Sequence, residues 1–335
     1  MAKSLIWFPE TISVTQDLDL AANCPYKHFI LRMLNYRKRV FNIDLVAGGE
    51  MAKAFELTRK AFYAEGQTEA DSIALGEDYI LNHFGDLFAS SGITEAIKNP
   101  TTLGKVFVQY FKRFPLRDGA VVPFTMPDGK ISVEQTLLYP TEFKHPITGK
   151  PIVIKAILDL LGKDDYHTYV VDEKTCKSLL TDHAKQGDLL RTERQFSLYV
   201  ALFNLIRNDL DMPEVSHFKV RKVVLNATAF KNGKVAEEYE FAVDKGMQAR
   251  IFDNTMRLIQ GMLDTFDRYM NDGSLPLQNF SNSCTSYFRP CEFCLHCTSS
   301  FFSNLETQEY KQIVQVGENR TEVSLKDFLT KRGLL

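Results

Sequence analysis

Asp159, Asp172, Glu173 and Lys174 are the side chains whose types and spacing best suit chemistry. They lie in two apolar runs, "AILDLLG" (156–162) and "YVVDEKT" (169–175), joined through the turn "GKDD" (162–165). Side chains on a strand alternate faces, so Asp172 and Lys174 share one face and Glu173 points to the other. A hairpin turning near residues 164–166 puts Asp159 opposite or diagonal to Asp172, roughly 5–8 Å away. Two carboxylates and an ammonium at a hairpin's open end can hold a divalent cation and orient a water toward a phosphodiester. The short motif alone discriminates poorly, because Asp128-Gly129-Lys130, Glu142-Phe143-Lys144 and Glu309-Tyr310-Lys311 share it. Asp128-Gly129 is better explained as a turn. The bland alternative for 159–174 is a pair of solvated strand ends.

Downstream, "RTERQFSLYVALFNLI" (191–206) carries Arg191, Gln195 and Tyr199 at i, i+4 and i+8. That spacing makes a polar row on one helix face, beside apolar surface from Val200, Leu202, Phe203 and Ile206. An ordinary amphipathic helix fits it equally well.

Four of the six cysteines, Cys284, Cys291, Cys294 and Cys297, fall within fourteen residues. Such density signals a metal. Either the four close a tetrahedral zinc site, or three of them join a distant cysteine on an iron–sulfur cluster. Cys24, in "LAANCPYKHFILRML", is the distant candidate, and Cys176 reads as a packing residue.

The elements that must position these groups can be read from periodicity. Helices are expected at 15–37, 46–65, 69–84, 93–113, 187–208 and 244–271. Strands are expected at 132–139, 152–161, 167–174, 216–228 and 235–243, with turns at 128–129 and "KNGK" (231–234). "NYRKRVFN" (35–42) reads as a basic surface turn, and the tail as the cysteine cluster with a short last helix. The interleaving implies an α/β fold, a mixed sheet wrapped by helices in one globular unit over 1–335. Within it, 1–120 is a helical N-terminal region, 121–243 the core sheet and helix, and 244–335 a C-terminal helix with the cysteines.

The composition, 44% apolar and 24% charged over 335 residues with net charge −2, is that of an ordinary soluble globular protein. It supplies no global pull toward nucleic acid but permits a local basic groove. "MAKSLIWFPE" holds too short an apolar run for a signal peptide, and no stretch approaches 18 apolar residues. A cytoplasmic protein with no membrane partner is the expectation.

Asp159, a hairpin, "VVDEKT" and Gln195-x-x-x-Tyr199 together resemble the PD-(D/E)XK nuclease superfamily in its RecB-like branch. The resemblance implies a restriction-endonuclease-like sheet and a metal-dependent deoxyribonuclease, most simply an exonuclease on DNA ends or single strands. It implies Mg²⁺ or Mn²⁺ on Asp159, Asp172 and the Glu173 carbonyl, with Lys174 positioning or activating the attacking water. Gln195 and Tyr199 would support the site and its DNA, and Glu134 occupies the place of an upstream acidic residue. "CPYKHF" is similar to the cysteine motif of iron–sulfur nucleases related to the AddB subunit and CRISPR-associated exonucleases. That likeness implies a 4Fe–4S cluster on Cys24, Cys284, Cys291 and Cys297, with Cys294 spare and zinc as the alternative. A stand-alone phage or bacterial nuclease of recombination, repair or CRISPR adaptation, with partners from those processes, would follow.

One departure stands out. The branch usually carries a helical Gly-x-x-x-His, and "GGEMAKAFE" (48–56) places Lys53 where the histidine belongs. A charged lysine cannot ligate. Glu50 or Glu56 then substitutes, or the site runs on fewer ligands, and Lys53 becomes a candidate DNA-phosphate contact. The missing histidine also sustains a rival expectation, a DNA-binding scaffold that keeps the fold and cluster without hydrolysis.

Overall fold

The computed structural model describes residues 7–38, 43–93, 98–117, 120–179, 182–226, 235–276, 310–316 and 319–323. Along the chain come β1 (Thr11–Ser13), β2 (Tyr36–Lys38), α1 (Ile43–Tyr63), α2 (Glu69–Tyr79) and α3 (Pro100–Arg113). The strands β3 (Val122–Pro123), β4 (Val133–Lys144), β5 (Pro151–Lys163) and β6 (Thr168–Cys176) follow. Then come α4 (His183–Thr192), α5 (Arg194–Ile206), β7 (His217–Val224), β8 (Ala236–Ala242), α6 (Lys245–Asp272), β9 (Tyr310–Val316) and β10 (Asn319–Val323). They form two compact units, Phe41–Leu137 with Ala156–Phe252, and Met1–Val40 with Leu138–Lys155 and Asp253–Leu335.

The unit with residues 156–252 is built on a mixed sheet. β5 and β6 are antiparallel, β6 and β7 parallel, and β7 and β8 antiparallel, with β3 on the end of β5. The register Val170↔Phe218, Asp172↔Val220, Lys174↔Lys222 sends these side chains to one face. There α5 covers them, and Phe196 stacks on Phe218 with centroids 5.2 Å apart. Tyr169, Val171, Glu173 and Thr175 project to the other face. α1 and α3 belong to that second face. On α1 the buried stripe Ala47, Met51, Ala54, Phe55, Thr58 recurs at helical spacing. Phe55 packs on Phe107, Tyr110 and Phe111 of α3. α1 comes so close to β6 that a Cβ on Gly48 would lie 3.0 Å from Thr175 Oγ1. A mixed sheet with helices on both faces is therefore the architecture, in agreement with the α/β expectation.

In the other unit, β1 runs parallel to the start of β5, Thr11↔Val153. Residues 14–33 are helical, as expected over 15–37, but not as a single helix. Short α- and π-helical segments run over 14–23 and 25–33 and are broken at Cys24, whose backbone is extended at φ −156°, ψ 100°. Pro25 is the cause, since proline drives the preceding residue out of the helical region. Buried Asp17 ties the pieces together, accepting from Ser13 N at 2.8 Å and from the Arg32 guanidinium. Burial pushes the Asp17 carboxyl up, but a His28 hydrogen bond and the Arg32 charge hold it below the usual range.

Other expectations are corrected as well. The basic stretch 35–42 contributes β2, which pairs antiparallel with β9, Tyr36↔Gln312. The helix expected from 93 begins at Pro100, capped by Asn99 Oδ1 on Thr102 N at 2.9 Å. The helix expected over 187–208 is two helices, α4 and α5, separated at Glu193 with ψ 120°. The described tail residues form β9 and β10, and the rest of the tail, where a short last helix is expected, lies outside the described residues. Cys284, Cys291, Cys294, Cys297 and the "KNGK" turn lie outside the described residues.

Candidate active site

The β5–β6 ladder ends at the pair Leu160↔Val171, and its register continued by one step sets Asp159 opposite Asp172. Asp172 projects toward α5. Asp172 is buried, and its Oδ1 accepts from Gln195 Nε2 and from Lys174 Nζ, each at 3.0 Å. Its other oxygen, Oδ2, lies 2.9 Å from Lys174 Nζ but outside hydrogen-bonding alignment, so this buried atom has no donor. Gln195 Nε2 also reaches Tyr199 Oη at 3.0 Å. Asp159 Oδ2 accepts from the Glu173 backbone N–H at 2.7 Å.

The charges here are unbalanced in one direction. Burial, and then the negative charge of Asp172, push the Asp159 carboxyl well above the usual carboxylate range. Burial raises Asp172 too, against the pull of Lys174. Burial works against the Lys174 ammonium, yet Asp172 and Asp159 raise its pKa, so it is a cation at neutral pH. Two acids, both raised by burial, with Lys174 as the cation beside them, form a site short of positive charge.

Glu134 enters from β4 with φ 53°, a left-handed conformation that a non-glycine residue holds only when its surroundings impose it. Burial and the charge of Glu56 push its carboxyl up to about 7. Glu134 in turn raises Asp159. Glu56 carries two lysines, Lys53 at 2.7 Å and Lys60 at 2.6 Å. Of the two acids expected to replace the missing histidine, Glu50 instead binds Tyr79 Oη at 2.7 Å. Glu56 is the one electrically joined to Glu134. Lys53 is 45% exposed, against 14% for Glu56, so it points outward at this edge.

Glu173 turns its side chain away from the two aspartates, as alternation requires. On that face Arg59 binds both of its oxygens and Tyr110 Oη donates to Oε1 at 2.8 Å. Arg221 donates to Tyr110 Oη at 3.2 Å and to Glu238 at 2.7 Å. Burial alone would raise the Glu173 carboxyl, but the Arg59 charge brings it below its usual value. Sequence reasoning misses Arg59, Tyr110 and Arg221. It also misplaces Arg191, which leaves the Gln195–Tyr199 row at the Glu193 break and lies 5.3 Å over the Phe241 ring. The rival Asp128-x-Lys130 is a surface turn, with Gly129 at φ 81°.

Cys24 is half-buried at the break before Pro25, and Cys176 packs with Val224, Val235 and Leu179. Among the described residues no helix is long and apolar enough to cross a membrane.

No protein-family profile matches the chain, and no curated protein matches it by sequence. Among solved structures, a presumptive exonuclease from Eubacterium rectale gives a TM-score of 0.43 at 10% identity, covering 87% of this chain and 93% of its own. A protein named SSO0001 gives 0.25 at 15% identity, over 65% of this chain and 87% of its own. Likeness at that distance carries no functional argument, and the arrangement of Asp159, Asp172, Lys174 and Gln195 has to carry its own.

Proposed function

We propose that the protein is a deoxyribonuclease that hydrolyses phosphodiester bonds with Mg²⁺ or Mn²⁺. The carrying observation is the buried, donorless Asp172 Oδ2 beside a second raised aspartate, a donor set of hard oxygens that a divalent cation would satisfy. Asp159 and Asp172 would hold it. Within an extended strand a residue's N–H and C=O project to the same side. The Glu173 carbonyl therefore faces Asp159, as its N–H does, and suits a third ligand. When bound, such a cation acidifies a water and neutralises phosphate charge.

The remaining work belongs to the chain. Gln195 fixes the rotamer of Asp172, and Tyr199 fixes Gln195. Lys174 is charged, so its part is to orient the attacking water and to stabilise negative charge growing on the phosphoryl oxygens. It is not a base. Lys53 and Lys60 at the rim suit DNA phosphates. The exonuclease reading, and partners in recombination, repair or CRISPR adaptation, rest on the family resemblance.

A 4Fe–4S cluster on Cys24, Cys284, Cys291 and Cys297 is likewise proposed from the family resemblance, with the half-buried Cys24 at a proline-made break in keeping with it. Zinc is its alternative.

The test is a Mn²⁺-dependent nuclease assay on single-stranded and blunt-ended DNA, with Asp172→Ala as control. Cleavage by wild type that Asp172→Ala abolishes, with DNA binding retained in both, supports the reading. DNA binding without cleavage in wild type would establish the scaffold alternative.

A further inference from the structure

A second cluster lies at the closed end of the same hairpin. His167 immediately precedes β6, His217 opens β7, and Glu240 belongs to β8. The registers Tyr169↔His217 and Lys219↔Glu240 bring all three to the face opposite Asp172. The two imidazoles stack with centroids 4.0 Å apart and planes at 24°. One ligating atom from each of the three residues lies within 4.8 Å of the others. In a tetrahedral zinc site, bonds of about 2.0–2.1 Å put neighbouring donors roughly 3.3 Å apart. Side-chain rotation of His167 and Glu240, both exposed, can close that difference.

We propose that His167, His217 and Glu240 form a binding site for a borderline divalent cation of the zinc class, distinct from the oxygen-lined site at Asp159 and Asp172. Imidazole with one carboxylate selects zinc, nickel or copper over magnesium. Supporting contacts are already in place, as metal-ligating side chains require. His217 Nδ1 lies 2.8 Å from Ser216 Oγ, which leaves Nε2 for the ion. Glu240 Oε1 accepts from Tyr169 Oη at 3.1 Å. Burial and the neighbouring His167 lower the His217 pKa, favouring the neutral form that ligates. Lys219 is the built-in competitor, with Nζ 3.5 Å from Glu240 Oε2 and 3.2 Å from Asp164 Oδ2. An entering cation would leave Lys219 to Asp164 and to Glu238, 3.8 Å away. Five residues of strand separate His167 from Asp172, about 16 Å, so the two sites load independently. A cation there would pin together the ends of β6, β7 and β8.

The experiment is equilibrium dialysis of the full chain against zinc, with bound metal counted per chain. The cysteines take up zinc equally in every variant, so the readout is the difference between variants. His167→Ala and His217→Ala should each lose one equivalent. Ser216→Ala should keep the stoichiometry but bind about tenfold more weakly, as loss of a supporting contact does. Lys219→Met should bind more tightly. Cobalt in this site should add absorption without a thiolate charge-transfer band, and that addition should vanish in His167→Ala. Because His167 is on the surface, its variant folds and decides the matter. Equal zinc in wild type and folded His167→Ala would overturn the proposal. The outcome does not depend on nuclease activity.

Discussion

Replacing Asp159 by asparagine should make the metal-free protein more stable while destroying its response to metal. Asparagine keeps an oxygen to accept from Glu173 N, now at 2.7 Å, and removes only the charge. The sign follows from linkage. Burial and Asp172 raise the Asp159 pKa above its unfolded value, so the stability it contributes is complete at low pH. It is lost as pH rises from the unfolded toward the folded pKa. Two like charges about 5 Å apart at an effective dielectric of about 20 repel by roughly 3 kcal/mol. Lys174 attracts Asp159 and offsets part of this, leaving a net gain of about 1–2 kcal/mol, or a few degrees in Tm. Thermal unfolding in EDTA at about pH 3, below the unfolded carboxylate pKa, and at about pH 8 measures it. The variant should match wild type at the lower pH and melt higher at the upper. Adding Mn²⁺ should reverse the order, because wild type alone gains binding energy. The reasoning fails if Asp159→Asn melts below wild type in EDTA at both pH values, or if Mn²⁺ raises both proteins equally.

Three other outcomes are expected. Glu134, raised to about 7, should make Mn²⁺ affinity climb as pH rises through that value, and calorimetric titration of Glu134→Gln should show a flatter profile. Arg59→Leu leaves buried Glu173 short of its closest cation and should cost about 3–5 kcal/mol in urea unfolding, with no change in m-value. Cys24→Ser should strip iron from anaerobically purified protein and lower its Tm, since a cross-link from residue 24 to the cysteine tail closes nearly the whole chain. Unchanged iron content and Tm would remove Cys24 from the ligand set.

How far the sequence could be read depended on whether the signal was local. The β5–β6 hairpin is legible because two apolar runs flank a polar turn and because alternation separates Asp172 from Glu173 without reference to anything distant. Gln195 and Tyr199 are legible for the same reason, one helical turn apart. The Cys24 break was available too, in the proline that follows it. Glu193 offered nothing comparable, having neither proline nor glycine beside it. β2 is invisible locally, since its partner β9 lies near the far end of the chain. Arg59 and Arg221 were missed for a different reason. A charged residue among apolar neighbours usually extends to solvent, and only the meeting of α1, α3 and β7 around Glu173 keeps these two inside.

The clamp of Arg59, Tyr110 and Arg221 on Glu173 has a consequence for how β6 reaches its place during folding. A strand that slips by one residue exchanges its two faces. In a slipped β6, either Asp172 or Lys174 would occupy the position facing the arginines. Lysine there would set three cations together, and aspartate is a methylene too short to span the same pair. Only Glu173 both reaches and neutralises them. The misaligned chain is thus penalised before any substrate arrives, and the aspartate pair inherits its alignment from a residue that never meets the reaction.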